Sequence, residues 1–150
     1  MSARPSILIV TSRYYAAIAE ELEAGVSEAL DKAKADYEFL EVPGAFEIPG
    51  AISMAQNTGE WDGFVALGCV IRGETSHYDL ICEQVARGLM DLSLAGVPVG
   101  FGVLTCENEE QAKVRASRKG KNKGKEVVAA VIRMAELTRN FAAMVEDDDD

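Results

Sequence analysis

The sequence has no apolar run long enough to cross a membrane, and its first nine residues lack the apolar stretch of a signal peptide. It therefore predicts neither a transmembrane helix nor a secretory leader. Nearly half of the 150 residues are nevertheless apolar, which excludes disorder for most of the chain. This length and composition favour one domain with a substantial core, spanning residues 1–150.

Cysteine and histidine are both scarce, with three cysteines and a single histidine, His77. Cys69, Cys82 and Cys106 include no C-x-x-C pair and lie in apolar segments, so we expect reduced, buried core residues of a cytoplasmic protein. A catalytic thiol at Cys106, which follows a predicted strand, is the alternative. The chain has no histidine beyond His77 to activate such a thiol.

Basic residues are outnumbered, since 15 lysines and arginines face 25 aspartates and glutamates, for a formal net charge of −10 at pH 7. This acidity argues against a nucleic-acid-binding surface. Five of the acidic residues form the end of the chain, residues 146–150. We expect residues 145–150 to be a solvated, disordered tail, with binding of a metal or a partner as the alternative.

Four short apolar segments alternate along the chain with longer segments of helical periodicity. The predicted strands are residues 6–10, 37–42, 63–71 and 99–105, and the longer predicted helices run to about residue 35, from 76 to 95, from 107 to 117 and from 125 to 144. Pro49 is expected to open a further short helix as its first residue. Alternation with short connections predicts a four-stranded parallel sheet with helices on both faces. The loops after its strands then gather at one edge, where ligands bind in such folds.

Residues 68–79, GCVIRGETSHYD, join the third predicted strand to the helix that follows it. Ser76 and Asp79 have the spacing of a capping box, which places residues 73–77 at the helix N-terminus. Unpaired amide groups at that position favour an anion. His77, in the first helical turn, can move a proton near neutral pH.

The other loops at this edge carry side chains that suit a planar, hydroxylated ligand. Tyr14 and Phe46 offer aromatic faces, and Glu47 offers a carboxylate to hydroxyl or amine groups. Arg115 and Lys123 are cations whose distance from these loops the spacing does not determine. Each residue type also has a simpler explanation, because aromatic side chains after strands often only pack and basic loops are often only solvated.

Four ordered motifs resemble those of the lumazine synthase family. They are residues 42–49 (VPGAFEIP), 68–79, 101–108 (FGVLTCEN) and 115–124 (RASRKGKNKG). The resemblance covers roughly residues 6–144, and four motifs in order are far more specific than one short pattern. It implies a flavodoxin-like three-layer sandwich of the α/β class with a four-stranded parallel sheet.

The resemblance also implies an activity, the condensation of 5-amino-6-(D-ribitylamino)uracil with L-3,4-dihydroxy-2-butanone 4-phosphate. The products are 6,7-dimethyl-8-ribityllumazine, phosphate and water, in the penultimate step of riboflavin biosynthesis, without a metal or an organic cofactor. Members form homopentamers whose active sites lie between neighbouring subunits. Sixty-subunit shells occur where the loop before the last helix has no insertion, as in residues 119–124 here.

The family's functional positions carry over to particular residues of this sequence. Within one subunit the implied substrate contacts are Tyr14 on the pyrimidine ring, Ala45 beside Phe46 and Glu47 on the ribityl chain, backbone groups of Val70 and Ile71 on the uracil edge, and Gly73, Glu74 and Thr75 on the phosphate. The neighbouring subunit is implied to contribute Phe101 to close the pocket, Arg115 to clamp the phosphate and Lys123 to reach the pyrimidine. His77 is the implied proton shuttle.

Two positions depart from the family pattern. Tyr14 stands where the family usually has Phe or Trp, which keeps the aromatic face and adds a hydroxyl group. Ser117 and Arg118 replace a small Gly-Thr pair, and so bring positive charge close either to the phosphate clamp or to the contact between pentamers.

Two other functions are compatible with the same scaffold. One is a flavin- or lumazine-binding shell without catalysis, and the other is a flavodoxin-type electron carrier. Residues 11–15 lack the run of hydroxyl and small side chains that wraps a flavin phosphate, which argues against the carrier. The presence of Glu47, His77, Arg115 and Lys123 in one chain favours the enzyme.

Overall fold

The structure is a computed structural model that describes residues 4–73 and 76–149, with side chains described as far as residue 146. The strands are β1 (Ser6–Ser12), β2 (Asp36–Val42), β3 (Gly63–Ile71) and β4 (Val99–Cys106). The helices are α1 (Ala16–Lys32), α2 (Ile48–Gln56), α3 (His77–Leu94), α4 (Glu109–Ala116) and α5 (Lys123–Asp149), and a 3-10 turn, Ala45–Glu47, precedes α2. No helix in these ranges is both long enough and apolar enough to span a bilayer.

The four strands form one parallel sheet in the order β2-β1-β3-β4. Successive residues of β1 contact opposite helical layers, since Ile7 and Ile9 pack among α1, α4 and α5 whereas Leu8 and Val10 pack against α2 and α3. Helices therefore cover both faces of the central strands, which explains their continuous apolar sequences. The predicted four-stranded parallel sheet within a three-layer α/β sandwich is confirmed.

The end of α1 and the start of α2 differ from the sequence prediction. α1 ends at Lys32 rather than near residue 35, because Lys34 adopts a left-handed backbone conformation with a φ of 58°. Ala35 follows this turn and is buried in the core. Its apolar side chain is the reason why the sequence prediction continued the helix to residue 35. α2 begins at Ile48, which makes Pro49 its second residue rather than its first.

The capping box predicted from Ser76 and Asp79 is wrong. Ser76 is the N-cap of α3, but its side chain makes no capping hydrogen bond. The Asp79 carboxylate lies 3.5 Å from Arg72 Nη1, and this ion pair holds it toward the end of β3. A side-chain cap occurs instead at α4, where Asn108 Oδ1 accepts a hydrogen bond of 2.9 Å from the Gln111 amide.

The acidic end of the chain is also different from the prediction. α5 was expected to end near residue 144, whereas the helix continues to Asp149. The solvated, disordered tail expected at residues 145–150 stays a prediction. The sequence contains no glycine or proline after Gly124 to stop the helix. Because adding a residue to an existing helix fixes few dihedrals for each hydrogen bond gained, the long helix extends into the acidic segment.

Candidate functional site

A cleft of about 640 Å³ opens at the carboxyl edge of the sheet, between the loops that follow β1, β2 and β3. The residues that line it are Ser12, Tyr14, Tyr15, Gly44, Ala45, Phe46, Glu47, Cys69, Val70, Ile71, His77, Leu80 and Ile81. Seven residues that the resemblance implies as substrate or catalytic positions are thereby brought together: Tyr14, Ala45, Phe46, Glu47, Val70, Ile71 and His77.

Two aromatic side chains stand open to solvent beside this cleft. Tyr14 is 78% exposed and Phe46 is 57% exposed. Tyr14 contacts Tyr15 edge to face, with ring centroids 5.0 Å apart and an interplanar angle of 74°. Tyr15 packs on the core beneath, and this burial raises the pKa of its hydroxyl. The contact with Tyr15 leaves most of the Tyr14 ring exposed and so available to a planar ligand.

Glu47 lies at the end of the 3-10 turn that enters α2. Its Oε1 is 3.3 Å from the position that a Cβ at Gly44 would occupy, so the glycine allows the carboxylate to lie close to the backbone. Among the described side chains Glu47 forms no ion pair, and its side chain is exposed at the cleft. A carboxylate in this state can accept hydrogen bonds from the hydroxyl groups of a ligand.

His77 is the first residue of α3 and faces the cleft. The start of α3 is fixed by Arg72, whose Nε lies 2.8 Å from the Glu107 carboxylate and whose Nη1 lies 3.5 Å from that of Asp79. The Arg72 guanidinium also lies 4.5 Å from the centre of the Tyr78 ring. The hydrogen bond to Glu107 raises the pKa of Arg72. These contacts join the ends of β3 and β4 to the first turn of α3, and so hold the backbone that carries His77.

The three thiols differ in burial, and none is paired in a disulfide. Cys106 is 1% exposed, as predicted, whereas Cys69 and Cys82 are only half-buried. Burial raises the pKa of the Cys69 thiol to about 12, so the one thiol that lines the cleft is protonated near neutral pH. A protonated thiol is a poor nucleophile, which argues against covalent cysteine chemistry in this cleft.

The predicted phosphate-binding residues are only partly covered by the structure. Gly73 is exposed just after β3 and does not line the cleft. Glu74 and Thr75 lie outside the described residues. Within the described ranges no group of three or more histidine, cysteine, aspartate or glutamate side chains is arranged to hold a metal ion.

Phe101, Arg115 and Lys123 do not line this cleft. Phe101, on β4, faces a shallow depression of about 250 Å³ that it shares with Met90 of α3. Arg115, in the last turn of α4, donates from Nη1 to the Cys106 sulfur at 3.1 Å, and Lys123 Nζ lies 3.3 Å from the Glu126 carboxylate. A single subunit therefore does not assemble all of the predicted site residues.

Arg118 is bound to α1 within the same subunit. Its backbone amide and its Nε both donate to Glu21 Oε1, at 2.9 and 3.0 Å, and its Nη1 donates to Glu28 Oε1 at 2.8 Å. The hydrogen bonds from Arg118 lower the pKa of Glu21. The positive charge that distinguishes this chain from the family pattern is therefore compensated by two carboxylates of α1, and it fastens the loop between α4 and α5.

Sequence reasoning missed several residues of the cleft lining, namely Ser12, Tyr15, Gly44, Cys69, Leu80 and Ile81. Leu80 and Ile81 follow His77 by three and four residues, so helical periodicity places them on the face that His77 occupies. Ser12 ends β1, and the carboxyl end of a parallel strand points to the same edge. These signals were present in the sequence, whereas the inward position of Tyr15 depends on packing against the core.

Residues 4–139 match the protein family described as 6,7-dimethyl-8-ribityllumazine synthase. A protein of that name from Zymomonas mobilis subsp. mobilis is 47% identical over 135 residues, which are 90% of this chain and 97% of the relative. Another from Agrobacterium fabrum is 47% identical over 145 residues, covering 93% of this chain and 98% of the relative. A third, from Erythrobacter litoralis, is 47% identical over 136 residues, or 91% and 97% of the two chains. These matches extend over the fold and the cleft alike, and the chain belongs to the 6,7-dimethyl-8-ribityllumazine synthase family.

Proposed function

We propose that the cleft is one subunit's share of the active site in which this protein makes 6,7-dimethyl-8-ribityllumazine. The enzyme condenses 5-amino-6-(D-ribitylamino)uracil with L-3,4-dihydroxy-2-butanone 4-phosphate and releases phosphate and water, the penultimate step of riboflavin biosynthesis. One observation carries the assignment of the site. Tyr14, Phe46, Glu47 and His77 come from three different loops and line the same cleft.

The pyrimidine substrate suits the apolar and aromatic part of this cleft. Its ring stacks on the exposed face of Tyr14, while backbone groups at the end of β3, at Val70 and Ile71, pair with the uracil edge. The ribityl chain runs past Ala45 and Phe46, and Glu47 accepts a hydrogen bond from one of its hydroxyl groups. Stacking and hydroxyl recognition together select a planar ring that carries a polyol.

The reaction requires little beyond close approach of the two substrates and proton transfer between them. The amine of the pyrimidine attacks the ketone to form a Schiff base with loss of water, and the phosphate leaves by elimination. The ribityl-bearing nitrogen then closes the second ring on the remaining carbonyl carbon with loss of a second water. His77, at the first turn of α3, carries protons between these groups. Holding the two reactants side by side supplies most of the acceleration, because a bimolecular step becomes effectively unimolecular.

Arg115 is the proposed phosphate ligand, contributed to the cleft of a neighbouring subunit. Each of the other arginines has a carboxylate within 4.0 Å, whereas Arg115 has none among the described residues. Its positive charge is therefore not compensated by a carboxylate of the described residues. A half-buried guanidinium in this state favours a bidentate contact with a phosphate.

A homopentamer is the assembly we propose, with a sixty-subunit shell as the larger alternative. Several large apolar side chains of α3 and β4 are exposed on the isolated subunit, namely Leu80, Met90, Leu94 and Phe101. An apolar surface of this kind favours burial against another copy of the chain. The proposed compartment is the cytoplasm, in keeping with three unpaired thiols.

The direct experiment is to mix the purified protein with both substrates and follow the fluorescence of the lumazine product. We expect product to form faster than in the uncatalysed mixture, and light scattering on the same sample to give the mass of a pentamer or a shell. A rate equal to the uncatalysed background would overturn the proposal in favour of a binding shell. A monomer with full activity would contradict the shared site.

A further inference from the structure

The thiol of Cys106 is the polar partner of the Arg115 guanidinium. Arg115 Nη1 donates to the Cys106 sulfur at 3.1 Å across the short connection between β4 and α4. Cys106 is almost completely buried at the end of β4, while Arg115 is half-buried in the last turn of α4. The sulfur thus meets the guanidinium where α4 folds back against the strand that precedes it.

The position of this sulfur is fixed by the backbone around it. The Arg72 amide donates to the Cys106 carbonyl at 2.9 Å, and Ile71 of β3 is the register partner of Cys106. The next residue, Glu107, donates its amide to Gln111 Oε1 at 2.9 Å. The strand end and the first turn of α4 are therefore tied to each other, which leaves the sulfur little freedom to move.

A thiol differs from a carboxylate as a partner for arginine. Sulfur is a weak acceptor that carries no negative charge in the thiol form, so it orients a guanidinium without cancelling its charge. A carboxylate at the same place would orient Arg115 and also compete with an incoming phosphate. The pairing leaves the charge of Arg115 uncancelled and its other N–H donors available to a ligand.

We propose that Cys106 is a positioning residue that holds Arg115 in the orientation for binding the phosphate of the second substrate. This inference rests on the proposed function, in which Arg115 binds that phosphate. The role of Cys106 is confined to substrate binding, because its sulfur is buried and contacts no reacting atom. Removal of the Cys106 thiol is therefore expected to change the KM for the phosphate substrate more than kcat.

The test compares Cys106→Ala, which removes the acceptor, with Cys106→Ser, which replaces it by a hydroxyl. We expect Cys106→Ala to raise the KM for the butanone phosphate about three- to tenfold, as for the loss of one hydrogen bond, with kcat and the KM for the pyrimidine changed less than about twofold. Cys106→Ser should restore the KM to within about twofold of the native value. Cys82→Ala, which removes a half-buried thiol of α3, is the matched control and should leave all three constants unchanged.

Arg115→Ala separates failure of this inference from failure of the proposed function. If Arg115→Ala leaves the KM for the butanone phosphate unchanged, the phosphate clamp itself is wrong. If Arg115→Ala raises that KM but Cys106→Ala does not, only the positioning role is wrong. The positioning role would also be overturned if Cys106→Ala still raised the KM for the butanone phosphate in the Arg115→Ala background. The same holds if Cys106→Ala raised the KM values for the two substrates equally. Circular dichroism and native mass establish that each variant is folded, and Cys106→Val replaces Cys106→Ala if the smaller side chain prevents assembly.

Discussion

Tyr14 presents its aromatic ring to solvent beside the cleft and contacts Tyr15 at a steep interplanar angle. The ring is therefore free to stack on a pyrimidine, and its hydroxyl is not needed for that contact. Tyr14→Ala should raise the KM for the pyrimidine substrate roughly 5- to 150-fold, the range expected for one lost base–aromatic stack. Tyr14→Phe should remain within about twofold of the native KM. Initial rates from product fluorescence give both values, and equal KM values for all three chains would exclude stacking on Tyr14.

His77 is the one histidine of the chain, and it lines the cleft. An imidazole is the side chain best suited to proton transfer near neutral pH. His77→Ala should lower kcat about ten- to a thousandfold, at or below the usual effect of one acid–base group. The KM for either substrate should change much less, because the imidazole is assigned to proton transfer. Product fluorescence in a single-turnover experiment measures the rate of the chemical step directly. Glu83→Ala, an exposed position on the same helix, is the control, and a native kcat in His77→Ala would remove the histidine from the mechanism.

At the residue scale, the sequence predicted one half of the candidate site. Tyr14, Phe46, Glu47 and His77 each follow a strand, and a parallel sheet necessarily brings such loops to one edge. The position of Arg115 was beyond prediction, because it depends on how α4 folds back on β4. Spacing along the chain carries no information on that contact.

Helices α1 and α5 pack closely against each other at Gly124. A Cβ on Gly124 would lie 2.8 Å from both the Leu22 carbonyl oxygen and the Val26 nitrogen, so the two helices meet at backbone distance. Gly124→Ala should push them apart and destabilise the fold by about 1–3 kcal/mol. The measurement is thermal unfolding at fixed protein concentration.

Gly50→Ala is the matched control for this substitution. A Cβ on Gly50 would meet nothing within 4 Å, and alanine is the better residue for a helix interior. The midpoint temperature of Gly50→Ala should therefore stay equal to or rise above the native value. Equal stability of the Gly124→Ala and Gly50→Ala variants would show that α1 and α5 can move apart without loss of folding stability.

The hydrogen bonds between Arg118 and Glu21 predict a pH-dependent contribution to stability. Arg118 lowers the pKa of Glu21 from its ordinary value of 4.5, so the folded state binds the proton less readily than the unfolded state. The stabilisation is complete above pH 4.5 and is lost as the pH falls through the lowered pKa. The difference in Tm between the native chain and Arg118→Ala should therefore be small but measurable at pH 7 and should vanish in acid. A difference that is constant with pH would exclude the Glu21 contact.

At the scale of elements, the strands were predicted to within two residues because buried strands of a parallel sheet have continuous apolar sequences. Two of the failures differ in cause, the first being tertiary and the second local. The capping box between Ser76 and Asp79 is replaced by the ion pair of Asp79 with Arg72. That partner comes from a different element, and local sequence rules do not include it. The extension of α5 reflects the cooperativity of a long helix rather than the polarity of its last residues.

The separation of the cleft from Arg115 leads to a prediction about mixed assemblies. Subunits that carry His77→Ala have intact Arg115, and subunits that carry Arg115→Ala have intact His77. If neighbouring chains share each site, random assembly of the two variants should restore about a quarter of the sites, because half of the clefts and half of their neighbours are intact. The measurement is the rate of product formation by co-expressed, purified mixed oligomers.

The control for this experiment is a mixture of the two variants assembled separately. That mixture should show only the sum of the two low activities, since no subunits have been exchanged. Activity of the mixed oligomers at the same low level would place His77 and Arg115 in the site of a single chain. Native mass spectrometry of the sample verifies that both variants are present in each particle.

Arg115 lies away from the cleft of its own subunit, and under the proposed function this makes catalytic output depend on how many neighbouring chains are in contact. A ring of n chains has n complete sites, an open row of n chains has only n−1, and a solitary chain has none. Dissociation at high dilution would then lower turnover per chain even while every chain stays folded. Each docking event between two chains would complete one site, and the event that joins the two ends of the row would complete the last.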